Sequence, residues 1–180
     1  VNERGRAWLV VGGAVVAAVV AVVLLRTSES TPRERPRAAL LATTTASPGR
    51  AGALLPEVIL KGRLRTTPAR ELRPAIVMLV ADGCDCLTAV RHVVAAAAPL
   101  RLVTYVVQAG DSLDQPETLA AQAGGDVAPY ADPGRALATA YRLHTDAALI
   151  LVRSDGVVTQ VVDAVGPALR LDAALRALVP

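Results

Sequence analysis

The chain has 180 residues, a formal net charge of +3, two cysteines and no phenylalanine. The charge is unevenly divided: residues 1–50 carry seven Arg against three Glu, and residues 51–180 carry twelve Lys or Arg against thirteen Asp or Glu. A basic surplus confined to the first segment, in a chain almost without aromatic side chains for bases to stack on, excludes a nucleic-acid binder, and the length allows one domain of about 100–150 residues plus an appendage.

The appendage comes first. Ala7 to Leu25 is a run of nineteen residues without a charge, which at about 1.5 Å per residue comes close to the roughly 30 Å of a hydrocarbon core. The expectation is one N-terminal transmembrane helix, with residues 1–26 as a membrane anchor. A signal peptide is the rival, with Arg4 and Arg6 as its basic end, but the apolar run is long for one and no small-x-small cleavage site follows it. The arginine count on the two flanks favours a domain in the cytoplasm. The short N-terminal tail, the Pro/Ser/Thr-rich stretch that follows and a cysteine pair without other thiols favour the outer side. The extracytoplasmic placement, single-pass in the cell membrane, is the one expected. Residues 27–53 mix Pro, Ser, Thr and Arg and read as a flexible linker.

Residues 54–180 form the predicted domain. Val58 to Leu60 reads as a short edge strand. Ala75 to Ala81 is continuously apolar and β-branched, the pattern of a strand buried on both faces of a parallel sheet. Leu87, Val90, Val94 and Ala97 then recur at helical spacing until Pro99, and Leu102 to Val107 is a second strand, so the three make a right-handed βαβ unit. Gln108 to Ala131 is mostly polar, with a short helix over Pro116 to Ala123. Asp132 and Pro133 supply an N-cap and a first-position proline for a helix through Ala136, Leu137, Ala140 and Leu143. Ala147–Val152 and Val157–Val162 flank a Ser154–Gly156 turn as an antiparallel hairpin, and Leu171, Leu175 and Leu178 share one face of a final helix.

The joint order of "LPEVILKG", "LRPAIVMLVADGC", "RLVTYVV", "ALATAYRLHTDAALILV" and "SDGVV" resembles the TlpA/ResA type of membrane-anchored thioredoxin-like redoxins, over about Leu55 to Val179. The resemblance implies an α/β, thioredoxin-like fold with a central mixed sheet flanked by helices. It also implies thiol-disulfide exchange with an envelope protein, and a substrate-binding loop at Asp146 and Ala147. Three positions depart from the pattern. Such proteins carry Trp before the first cysteine, two residues between the cysteines, and a cis-proline opposite the thiols; this chain has Gly83, the single residue Asp85, and Ala147. A cis peptide before a residue other than proline costs about 2.5–4 kcal/mol, so the Asp146–Ala147 bond is expected to be trans.

Cys84 and Cys86 stand where the apolar strand gives way to a helix, and are the candidate catalytic residues. At a helix start, unpaired N–H groups and the dipole favour thiolate over thiol, while Asp82 and Asp85 oppose it. A disulfide closing over one residue removes little unfolded-state entropy, so a structural staple explains the pair poorly. In the redox reading, Cys84 thiolate attacks a partner disulfide and Cys86 resolves the mixed disulfide, the small ring making the pair more oxidising than thioredoxin's. Two alternatives stay open. One is a redox-inactive module that docks to a membrane complex; the other is Cu(I) held by both thiolates with His144 as third ligand. His92 is placed on the exposed side of its helix and Met78 in the core, and Asp82 and Asp85 are candidate proton carriers. No Ser/His/Asp set, phosphate-binding glycine loop or His-rich pattern occurs, and neither a cofactor nor a resident metal is expected.

Overall fold

The computed structural model describes residues 40–179, so the expected anchor and the first part of the expected linker lie outside the described residues. Among the described residues no helix is long and apolar enough to cross a membrane. In chain order the elements are β1 (Ile59–Lys61), β2 (Thr66–Pro68), β3 (Ala75–Val80), α1 (Leu87–Ala97), β4 (Thr104–Ala109), α2 (Asp114–Ala123), β5 (Val127–Asp132), α3 (Ala136–Ala140), β6 (Ala147–Val152), β7 (Val158–Val162) and α4 (Asp172–Arg176). The strands form one mixed sheet in the order β2-β1-β5-β4-β3-β6-β7. Within it β3, β4 and β5 are parallel, and the other pairings are antiparallel.

Strand β3 is central because every one of its side chains is apolar and buried. Alternation sends Ile76, Met78 and Val80 to one face, where they meet α1 and α4 through Val90, Val94, Leu171 and Leu175. Ala75, Val77 and Leu79 go to the other face, where Leu60, Leu137, Tyr141 and Ile150 complete a second cluster. Strand β6 repeats the division opposite β3, in a register that sets Val80 against Ala147. The cysteine loop, which leaves β3 at Val80, is thereby held to the start of β6.

Two helix ends explain where the sequence periodicity overran. Leu143 N–H bonds to the Ala138 carbonyl and Arg142 N–H to that of Thr139, with Arg142 at φ +49°. This is a Schellman closure built on a non-glycine residue, so α3 stops at Ala140 instead of running to Leu143. The same pair of bonds, Leu102 to Ala97 and Arg101 to Ala98 with Arg101 at φ +54°, ends the single 3-10 turn that follows α1 and contains Pro99.

Two elements differ from expectation. Strand β5 lies in the stretch read as polar loop, because Gly124, Gly125 and Pro129 break its pattern. Pro129 is tolerated because β1 pairs with β5 only at Ala131, leaving the strand edge-like around the proline. Strand β1 is accordingly internal, with β2 as the edge. The last part of the stretch read as linker makes backbone hydrogen bonds to the β6–β7 hairpin. Ala42 N–H bonds to the Asp155 carbonyl at 2.9 Å, Gly52 N–H to that of Val158 at 2.7 Å, and Val158 N–H returns to that of Ala53 at 2.8 Å. Residues 42–53 thus strap the β6–β7 hairpin, and Thr44 closes the strap by donating to the Gly52 carbonyl. The physical reason is that the open backbone edge of β7 offers this segment hydrogen bonds that its composition does not reveal.

Candidate active site

The cysteines occupy the loop between β3 and α1. Gly83 stands where the resemblance places Trp and has φ +70°, a conformation costly for a bulky side chain. The turn it makes brings Cys84 N–H back to the Ala81 carbonyl at 3.4 Å. Helix α1 begins at Leu87 with Cys86 as its N-cap residue, so Cys84 precedes the helix. The helix-start advantage expected of the pair falls to Cys86. The two sulfurs are joined in a disulfide. Cys84 is half-buried, whereas Cys86 is 3 % exposed and packs in the cluster under α1.

Asp146 and Ala147, the expected substrate-facing pair, lie beside the cysteines. The Asp146 carbonyl accepts from Ala81 N–H at 2.8 Å and lies 3.4 Å from Cys86 Sγ, a contact that becomes S–H donation when the pair is reduced. Arg73–Pro74 is the cis peptide bond among the described residues, so Asp146–Ala147 is trans. Met78 is fully buried in the core. His92 is half-buried rather than on an exposed face, with Nε2 2.8 Å from the Leu169 carbonyl, which fastens the segment before α4. His144 lines a different groove, with Arg50, Arg142 and Asp163. Among the described residues no three His, Cys, Asp or Glu side chains converge as metal ligands, so a soft ion would find only the two sulfurs.

Two glutamines complete the site. Gln115, in the first turn of α2, accepts from Gly83 N–H at 3.0 Å and donates to the Cys84 carbonyl at 3.1 Å, with the same Nε2 3.3 Å from Cys84 Sγ. Gln108, 4 % exposed at the end of β4, donates to Asp82 Oδ1 at 3.0 Å. Sequence reasoning missed both, although a signal existed. Ser112, Asp114 and Pro116 are helix-start residues, and a helix opening directly after β4 must begin beside the loop that leaves the neighbouring β3.

A groove flanks the disulfide on each side. One, of about 340 Å³, runs between the start of α1 and Thr145–Ala147; the other, of about 490 Å³, runs between the cysteine loop and α2. Asp85 and Asp146 line the first, and Asp82, Asp85 and Asp114 the second, with no Lys, Arg or His in either. Such a field attracts cations and repels anions over a Debye length of about 10 Å at 0.1 M salt. The reduced protein is therefore expected to react about tenfold faster with the dication cystamine than with anionic oxidised glutathione at low salt, after correction for their intrinsic reactivities. The preference should collapse at 1 M salt. Equal corrected rates by quenched-flow alkylation would show that the carboxylates do not govern approach.

This arrangement is a thioredoxin-like fold with a Cys-x-Cys pair at the end of its central strand. A secreted Mycobacterium tuberculosis disulfide oxidoreductase homologous to E. coli DsbE is similar to it, with TM-score 0.52 and 13 % identity over 68 % of this chain and 96 % of that one. A putative thiol:disulfide interchange protein DsbE from Chlorobium tepidum gives TM-score 0.52 and 17 % identity over 72 % and 95 %. The bacterioferritin comigratory protein of Xanthomonas campestris, studied for alkyl peroxide reduction, gives 0.50 and 18 % over 68 % and 89 %. No protein family and no curated protein matches the chain. At these identities the likeness defines the fold, and since proteins of different chemistry share it, the activity has to be argued from the site.

Proposed function

We propose that the protein exchanges disulfides with another protein through Cys84 and Cys86, outside the cytoplasm and tethered by its N-terminal apolar run. The observation that carries the reading is the unequal exposure of the joined sulfurs: both residues line the groove beside α2, but Cys84 is half-buried whereas Cys86 is only 3 % exposed. In the oxidising direction a partner thiolate attacks Cys84 Sγ, the Cys84–Cys86 bond breaks, and Cys86 leaves as thiolate and takes a proton. A second partner thiol, deprotonated, then attacks the mixed disulfide and expels Cys84 thiolate. The partner loses two electrons and the pair gains them; the reducing direction is the reverse. The tether and the outer location are supported by the nineteen-residue uncharged stretch and by a pair that has no other thiol in the chain to exchange with.

Equilibration in glutathione buffers of stepped ratio, followed by acid quench and alkylation, tests the reading. The expected result is one transition between zero and two alkylated cysteines, with a midpoint above the roughly −270 mV of thioredoxin. Thiols that neither oxidise nor exchange across the series would overturn it and leave a docking module of the same fold. A Cu(I) titration of the reduced protein separates the metal reading, which requires stoichiometric binding.

A further inference from the structure

Cys84 has a problem that its position in the fold does not solve. Once the disulfide opens, its sulfur must carry negative charge in a groove whose charged residues are Asp82, Asp85 and Asp114. The helix that follows starts three residues later, with Cys86 rather than Cys84 at its cap. No cation among the residues lining either groove offsets the carboxylates.

The polar group that does face the sulfur is the Gln115 carboxamide, and its orientation is fixed by its partners. Gly83 N–H can only donate, so the atom 3.0 Å from it is the carboxamide oxygen. The Cys84 carbonyl can only accept, so the atom 3.1 Å from it is the nitrogen. The –NH₂ is thereby left 3.3 Å from Cys84 Sγ. The reversed amide would set N–H against N–H and oxygen against oxygen. Gln108, holding Asp82 from beneath, anchors the residue before Gly83.

We propose that Gln115 activates Cys84 by donating a hydrogen bond to its sulfur in the reduced protein, while its oxygen and second N–H hold the loop in which that sulfur stands. The inference rests on the exchange reading and names the residue that sets the strength of its nucleophile. An N–H bond to a thiolate is charge-assisted, and so stronger than the same bond to a thiol or a disulfide. That difference favours ionisation of Cys84 against the surrounding carboxylates.

The test uses reduced protein carrying Cys86→Ser, so that only Cys84 reacts, and follows its alkylation by iodoacetamide against pH. In the Gln115→Glu variant, shape and an oxygen for Gly83 N–H are kept while the donor becomes a carboxylate. Its alkylation midpoint is expected at higher pH, with the rate at pH 7 lower by about tenfold. The Gln115→Met variant, which keeps length without polarity, should move the midpoint the same way by less. A purely structural role would slow alkylation of the Gln115→Met protein by one factor at every pH, with the midpoint unmoved; that result overturns the proposal, whatever the added carboxylate of Gln115→Glu does through its own charge. Failure of the exchange reading is distinct: the Gln115 protein would then be alkylated by iodoacetamide yet form no adduct with any disulfide.

Discussion

Cys86→Ser protein mixed with a small disulfide is expected to accumulate a stable adduct on Cys84, whereas Cys84→Ser protein is expected to accumulate none, with turnover lost in both. The asymmetry follows from accessibility. Cys84 is half-buried at a groove wall, and Cys86 is 3 % exposed within the cluster under α1. In the first variant Cys84 thiolate attacks the probe, one half stays bonded to it and the other leaves as thiolate, and no second sulfur remains to expel the bound half. In the wild type Cys86 would perform that step, and the Cys84–Cys86 bond would re-form. Serine suits the test at position 86 because its hydroxyl can donate to the Asp146 carbonyl, 3.4 Å from the sulfur it replaces. Intact-mass measurement reads the result. An adduct on Cys86 in the Cys84→Ser protein, or none in either variant, would remove the assignment of attacking and resolving thiols.

Asp132→Ala is expected to lower stability by about 2–3 kcal/mol, and the melting temperature by roughly 10 °C. The carboxylate is 1 % exposed and accepts from the N–H groups of Ala136, Leu137 and Ala138 at 3.1, 2.8 and 3.4 Å. Helix α3 is five residues long and its own N-cap, Arg135, supplies no side-chain bond, so the start of α3 depends on this one side chain. Alanine leaves buried donors unpaired, and Asp132→Asn, which keeps one oxygen, should cost about half as much. Thermal unfolding followed by circular dichroism checks the pair. A loss under about 0.5 kcal/mol for alanine would mean that the loop re-closes on other acceptors.

What could be read from the chain depended on whether a signal was local. The all-apolar run of β3, the apolar spacing of α1 and the leucine spacing around α4 are repeated within a few residues, and each became the element expected. The hairpin turn at Asp155 is equally local: its carboxylate accepts from Val157 N–H and pairs with Arg153, whose hydrogen bond holds the Asp155 carboxyl below the usual carboxylate range. Strand β5 and the 42–53 strap owe their form to neighbours distant in sequence, and nothing in Pro129 or in Thr43–Ala46 announces them. The site divides the same way. The cysteines were visible as a strand-to-helix junction. The start of the helix that carries Gln115 was signalled locally, but its contacts with the cysteine loop were not, because those partners lie some thirty residues away and become adjacent only through the parallel pairing of β3 and β4.

With the Asp146 carbonyl turned inward to Ala81 and Cys86, a visiting polypeptide that offers its amides there finds no vacant rung to lengthen. If the pair does exchange disulfides, a partner's main chain would find no hold on that oxygen, and discrimination would lean on which visitors can bring a sulfur down between acidic walls, a filter that screens by electrical character.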